Sequence, residues 1–162
     1  MATVIDLVSR GNLFRLDPQL DYPQQELRRI YTGPKLRKWI ENDLSGLASD
    51  RVESSPKLQF DDLVALFCSG EQLTYDLHFK PLNHVEDGIW ELKTTDLRIF
   101  GWFSQKDCFI GVIGDTKRRI LDYGLYGPYA KMEVTPFRNQ IDLDPPKYVP
   151  GKNPHDVVSD YD

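Results

Sequence analysis

Glu91, Lys93 and Arg98 lie close together in a stretch where charged and apolar residues alternate, and Lys117, Arg118 and Arg119 follow as an unbroken basic run. Tyr123, Tyr126 and Tyr129 come next, set among Gly124, Gly127 and Pro128. These residue types suit chemistry on a phosphodiester. Arginine and lysine hold phosphoryl oxygens as negative charge develops on them. A carboxylate such as Glu91 can accept the proton of a ribose hydroxyl. Tyrosine rings, here Tyr123, Tyr126 and Tyr129, can stack on bases splayed out of a strand. The spacing is equally that of an ordinary surface: charged residues on the wet face of a half-covered sheet, a solvated basic turn, and tyrosines packing a final segment.

Three elements must position these groups. Asp87-Gly88 is a turn pair, and Ile89 to Lys93 then alternates, with Trp90 and Leu92 on one face and Glu91 and Lys93 on the other. Leu97 to Phe103 is a second strand after the Thr94-Thr95-Asp96 connection, and Cys108 to Ile113 is a third, apolar on both faces and therefore central. The short turns predict a three-stranded antiparallel meander with Trp90, Phe100, Trp102 and Phe103 in the core and Glu91 and Lys93 on an open face, which Arg98 can join.

Ahead of the meander, Leu27, Ile30 and Tyr31 are spaced for a helix face, and Gly33-Pro34 interrupts the pattern and starts a second helix carrying Leu36, Trp39, Ile40, Leu44 and Leu47. Residues 48–57 read as a loop. Phe60 before Asp61 or Asp62 reads as a staple and cap for a buried helix that Ser69-Gly70 ends. A strand is expected near residues 4–8 or 13–16, and another over 73–79. After Arg119, the glycines and Pro128 predict only short turns. The proline- and aspartate-rich stretch 138–162 predicts an extended or disordered arm. The expected organisation is one α+β domain over 1–137, with N-terminal helices on a small twisted antiparallel sheet.

The totals narrow the function. The chain has 162 residues, 20 basic against 25 acidic, a formal net charge of -5. A generally basic nucleic-acid surface is excluded by that balance. Residues 88–131 alone are positive, with seven basic and five acidic side chains, so a local basic site remains. Cys68 and Cys108 each sit in an apolar run and are expected as buried free thiols; His78, His84 and His155 show no ligand spacing. Neither a metal nor another cofactor is expected. No run of about 20 apolar residues offers a membrane span, and the first residues lack a signal-peptide pattern, so a cytoplasmic location is expected.

Residues 80–119, KPLNHVEDGIWELKTTDLRIFGWFSQKDCFIGVIGDTKRR, resemble the RelE/ParE-like toxin superfamily, most closely its RelE and HigB branches. The resemblance covers a core of about 57–123 and rests on a WELR-like strand at Trp90-Glu-Leu-Lys93, an R-[VI]-[FY] strand at Arg98-Ile-Phe100, and an apolar strand leading into Lys117–Arg119. It implies a RelE-like fold and a ribosome-dependent, metal-independent endoribonuclease that cuts messenger RNA and is neutralised by an antitoxin protein. It also implies roles: Lys93, Arg98, Lys117 and Tyr123 as catalytic residues, with Glu91, itself a candidate base, where the bacterial prototype has a lysine; the basic run and the tyrosines beside it add Arg118, Arg119, Tyr126 and Tyr129 as expected RNA contacts. The chain is longer and more acidic than is usual for that family, which fits a divergent, phage-derived relative. A non-enzymatic protein-interaction module of toxin-like fold, or a ParE-like topoisomerase inhibitor, is the alternative.

Overall fold

The computed structural model describes residues 1–49, 53–82 and 84–162; of the expected loop over 48–57, residues 50–52 lie outside them. The meander forms as the period-two pattern predicts. Strands β4 (Ile89–Lys93), β5 (Leu97–Gln105) and β6 (Cys108–Thr116) pair antiparallel, with Lys93 opposite Arg98 and Arg98 opposite Asp115. The β5–β6 ladder slips between Phe100 and Gly101. A Cβ on Gly101 would stand 2.0 Å from the Ile110 carbonyl oxygen, so only glycine permits this approach.

The sheet is wider than the meander. Its six strands run β1-β2-β6-β5-β4-β3, with β1 (Phe14–Arg15), β2 (Arg29–Thr32) and β3 (Phe79–Pro81) added. The helix expected around Leu27, Ile30 and Tyr31 is therefore a strand. Arg29 to Thr32 run parallel to Cys108 to Gly111, and that ladder satisfies backbone groups that so short a helix would leave open. The strand expected over 73–79 shrinks to β3 and an isolated bridge from Leu73 to Tyr161. Pro81 is tolerated because β3 is an edge strand.

One face of the sheet carries helices α2 (Pro34–Asn42) and α3 (Pro56–Ser69). Pro34 sits in the first turn of α2, as expected. Helix α3 starts a turn earlier than the Phe60–Asp62 signal suggests, because the Ser55 hydroxyl accepts from the Leu58 amide at 3.1 Å; Gly70, at φ 81°, ends it. Leu36, Phe60, Leu63, Val64 and Phe67 bury against Trp90, Leu92, Ile99, Phe103 and Phe109. Each such side chain contributes about 1.5–3 kcal/mol.

The other face, expected to be open, is covered. Helix α1 (Val4–Ser9) takes the first of the two places where a strand was expected, β1 taking the second, and lies on this face with α4 (Lys117–Tyr123) and a helical run made of α5 (Tyr126–Pro128), a π-turned segment (Tyr129–Val134) and α6 (Thr135–Gln140). The short turns expected after Arg119 are thus helix. Pro128 lies in the opening turn of the run, and the wider π turns precede Pro136, which has no N–H to give to a regular ladder. Ile89, Phe100, Trp102, Ile110 and Val112 are buried beneath this layer.

The arm expected over 138–162 is a strap packed into the body. Ile141, Leu143, Val157 and Val158 are buried, Leu143 bridges to Ala2, and residues Pro154–Val157 form α7. Arg28, only 1% exposed, pins the strap: Nη1 donates to the carbonyls of Phe67 and Glu71, and Nη2 to that of Asp160 at 3.0 Å. Cys68 and Cys108 are buried thiols, and burial pushes Cys68 up to about 12, away from nucleophilic use. No helix among the described residues is long and apolar enough to cross a membrane.

Candidate functional site

A cleft of about 580 Å³ opens where α3 faces the β4–β5 turn. Asp62, Leu63 and Leu66 line it from α3, and Asp76, Leu77 and His78 from the segment before β3. Lys93, Arg98 and Lys117 line it from the end of β4, the start of β5 and the first residue of α4. Gln59 ties these walls together. Its Oε1 accepts from the Thr94 hydroxyl at 2.9 Å and the Asp96 amide at 3.0 Å, and its Nε2 donates to Asp96 Oδ2 at 2.7 Å. The Lys117 amide donates to the Asp96 carbonyl at 2.7 Å, so α3, the turn and α4 meet at one point.

The cations differ in environment. Lys93 Nζ donates to the Asp76 carbonyl at 2.7 Å and stands 3.7 Å from the Asp76 carboxylate. Burial, and then the charge of Arg98, push its ammonium below the ordinary lysine range. Asp76 holds a left-handed backbone, φ 70°, and also pairs with Lys80 at 3.3 Å; the Lys80 hydrogen bond is the main cause of its lowered carboxyl. Arg98 is 5% exposed, with Nη1 donating to the carbonyls of Thr94 at 2.5 Å and Leu97 at 2.7 Å, while Nε has no hydrogen-bond partner among the described residues. Arg98 therefore belongs to the buried wall of the cleft and not to an open sheet face.

Glu91 shares the face of Lys93 but lies under the C-terminal helices, 2% exposed, with Oε2 unpaired. Burial raises its carboxyl, opposed by the charges of Arg98 and Lys93. It does not line the cleft. Tyr126 stacks on Phe100 at 5.5 Å, and the Tyr129 hydroxyl donates to Asp115 Oδ2 at 2.6 Å. Burial, then that bond, push Tyr129 up to about 12. Both rings are part of the packing between helix and sheet. Tyr123 lies on the exposed side of α4, with the Arg119 guanidinium 5.4 Å over its ring; Arg119 also pairs with Asp115 at 3.0 Å and Arg118 with Asp122 at 3.8 Å. None of these three lines the cleft.

The cleft thus brings together Lys93, Arg98 and Lys117; Glu91 and Tyr126 lie behind its wall, within electrostatic reach of Arg98, and Tyr123 and Tyr129 do not line it. It adds Asp76, which the sequence reading did not single out, and His78 and Asp62, which it weighed only as a metal ligand and a helix cap. His78 Nδ1 accepts from the Thr74 amide at 2.8 Å, and burial, opposed by the charge of Asp162, holds the imidazole below its usual range. Only the i,i+4 spacing of Thr74 and His78 hinted at this turn. Three basic residues against two carboxylates leave the cleft mildly positive, with Leu63 and Leu66 as apolar lining from α3 and the exposed Leu77 facing them. Such a site can hold an oxyanion and seat an apolar group beside it. Among the described residues, no three His, Cys, Asp or Glu side chains group as metal ligands. No protein family, curated protein or solved structure gives a match to this chain.

Proposed function

We propose that this chain is a toxin-like, metal-independent endoribonuclease of the RelE/HigB type that holds a phosphodiester of messenger RNA in the cleft, in the cytoplasm and on the ribosome. The observation that carries the reading is the convergence of Lys93, Arg98 and Lys117 from three different elements on one concavity. The helices on one face of a twisted sheet and the Trp90–Lys93 and Arg98–Phe100 strands support the resemblance on which the activity rests.

In this reading Lys117 and Arg98 offset the charge that builds on the phosphoryl oxygens. The ribose 2′-hydroxyl attacks phosphorus and gives its proton to Asp62, the cleft carboxylate that no lysine claims, since Glu91 is buried away from the cleft. The 5′-oxygen leaves with a proton from Lys93, whose ammonium burial holds below the ordinary lysine range. A 2′,3′-cyclic phosphate and a 5′-hydroxyl result. Arg118, Arg119 and Tyr123 on α4 follow directly from Lys117 and offer a surface for flanking nucleotides. An antitoxin protein would then neutralise the chain by covering this end of the sheet.

Primer-extension mapping of a message translated in the presence of the protein tests this, together with co-sedimentation on ribosomes. Discrete cuts are expected with wild type, and their loss by about 10²-fold with Lys117→Ala at an unchanged melt. A second reading, a non-enzymatic protein-interaction module of the same fold, is favoured by one observation: Lys93 and Arg98 already have oxygen partners in Asp76, Thr94 and Leu97. Absence of any cut with ribosomes bound would move the conclusion there.

A further inference from the structure

His78 is fixed in one protonation pattern by its own turn. Its Nδ1 accepts from the Thr74 amide at 2.8 Å, while the His78 amide returns a bond to the Thr74 carbonyl at 2.9 Å. The amide N–H occupies the Nδ1 lone pair, so the ring proton of the neutral imidazole sits on Nε2. A second proton would have to displace the Thr74 amide, and burial already disfavours the charged ring. The facing charges are Asp162 from the strap, and Lys93 and Asp76 across the cleft. Among the described residues Nε2 has no hydrogen-bond partner, and it is not among the buried unpaired atoms, although His78 lines the cleft. The free edge of the ring is therefore a neutral N–H donor on a residue that lines the same space as Lys93 and Lys117.

We infer that His78 is a specificity-determining contact of this cleft, giving a phosphate-class oxyanion one neutral, directional hydrogen bond from Nε2 beside the charges of Lys93 and Lys117. This rests on the reading of the cleft as a phosphoryl site. It separates two kinds of recognition. Lysine ammonium groups attract any anion and weaken with salt. A fixed N–H adds a directional demand that a chloride ion satisfies poorly and that does not titrate between pH 7 and the alkaline range. His78 is thus a hydrogen-bond donor and not the proton-transfer group of the site.

The two nitrogens can be tested apart. Asparagine places an oxygen near Nδ1 and can keep the Thr74 bond but cannot reach into the cleft; glutamine can reach with an N–H but gives up the turn bond. The probe is inorganic phosphate, titrated into ¹⁵N-labelled full-length protein and followed by NMR. The imidazole nitrogens should report the Nε2–H tautomer before phosphate is added. Phosphate should shift the Nε2 signal together with the amides of Lys93 and Lys117. His78→Asn should weaken phosphate by about threefold to tenfold, the loss of one hydrogen bond, with its melt held. His78→Gln should bind within about twofold of wild type while melting lower. A merely structural role predicts the reverse order of binding. An Nδ1–H tautomer, or shifts at Lys93 and Lys117 with Nε2 unmoved and His78→Asn binding as wild type, would overturn the inference and leave the cleft standing. No phosphate-dependent shift at Lys93 or Lys117 in any protein would remove the phosphoryl reading and this inference with it.

Discussion

Trp90 and Glu91 are neighbours on β4 and almost equally inaccessible, at 0% and 2% exposure, yet they belong to different interiors. Trp90 points into hydrocarbon between the sheet and α3, edge-on to Phe103 at 5.8 Å. Glu91 points to the face where Arg98 and Asp115 are also buried and where tyrosines from the C-terminal helices supply the cover. One face is held chiefly by apolar packing, with Arg28 a buried charge at its margin that bonds the Phe67 carbonyl of α3. The other carries charges at its cleft end and must compensate each with a carbonyl, a hydroxyl or an opposite charge. The contrast teaches that burial by itself does not separate core from site. What separates them is whether the buried group has spare chemistry directed toward an opening.

Substitutions on the two faces should fail differently. The largest effect is expected from Trp90→Ala, about 3–5 kcal/mol by chemical denaturation, because it removes a large ring from a tightly packed layer. A loss below about 1 kcal/mol would show that this face is less dependent on packing than its burial implies. Arg98→Ala should cost less, about 2–3 kcal/mol, through the charged hydrogen bonds to the Thr94 and Leu97 carbonyls and the counter-charge lost to Glu91. Its signature is a pH-dependent deficit: without Arg98 the Glu91 carboxyl rises further, so the variant should recover stability as acid protonates Glu91. A deficit flat from pH 4 to 8 would break the link between these two residues.

His78 should produce a smaller, purely pH-linked effect. Its folded pKa is depressed by burial, so the unfolded chain binds more protons as the pH falls through and below the ordinary imidazole range near 6.5. The stability of the turn is fully present above that range and is lost as the pH drops. Comparing the melts of wild type and His78→Gln from pH 8 to 5 should show this slope in wild type alone. The smallest effect is expected at Asp76→Asn, within about 0.5 kcal/mol, since the pair with Lys93 is largely solvated on the aspartate side and asparagine tolerates φ 70°. That variant sharpens the comparison by removing the carboxylate beside Lys93, whose bond to the residue-76 carbonyl stays, without disturbing either interior. A loss above about 2 kcal/mol would place Asp76 among the structural supports.

The sequence by itself determined the meander and its parity. Alternation over Ile89–Lys93 and the turn residues on either side suffice to send Trp90 and Leu92 one way and Glu91 and Lys93 the other, because a strand has period two whatever surrounds it. It also determined α2 and the end of α3, through Pro34 and Gly70, whose backbone demands are local. Tertiary structure decided what each face meets. Leu27, Ile30 and Tyr31 suit a helix stripe, yet Ile30-Tyr31-Thr32 also suits a strand, and the choice fell to β6, far along the chain, which offered a parallel ladder. The same dependence on distant partners hid the cover over Glu91 and Arg98 and the strap pinned by Arg28. It hid His78 as well, whose role depends on α3, the β4–β5 turn and α4 meeting around it. Periodicity fixes the direction of a side chain from its immediate neighbours, whereas enclosure is a property of residues brought together only when the sheet is complete.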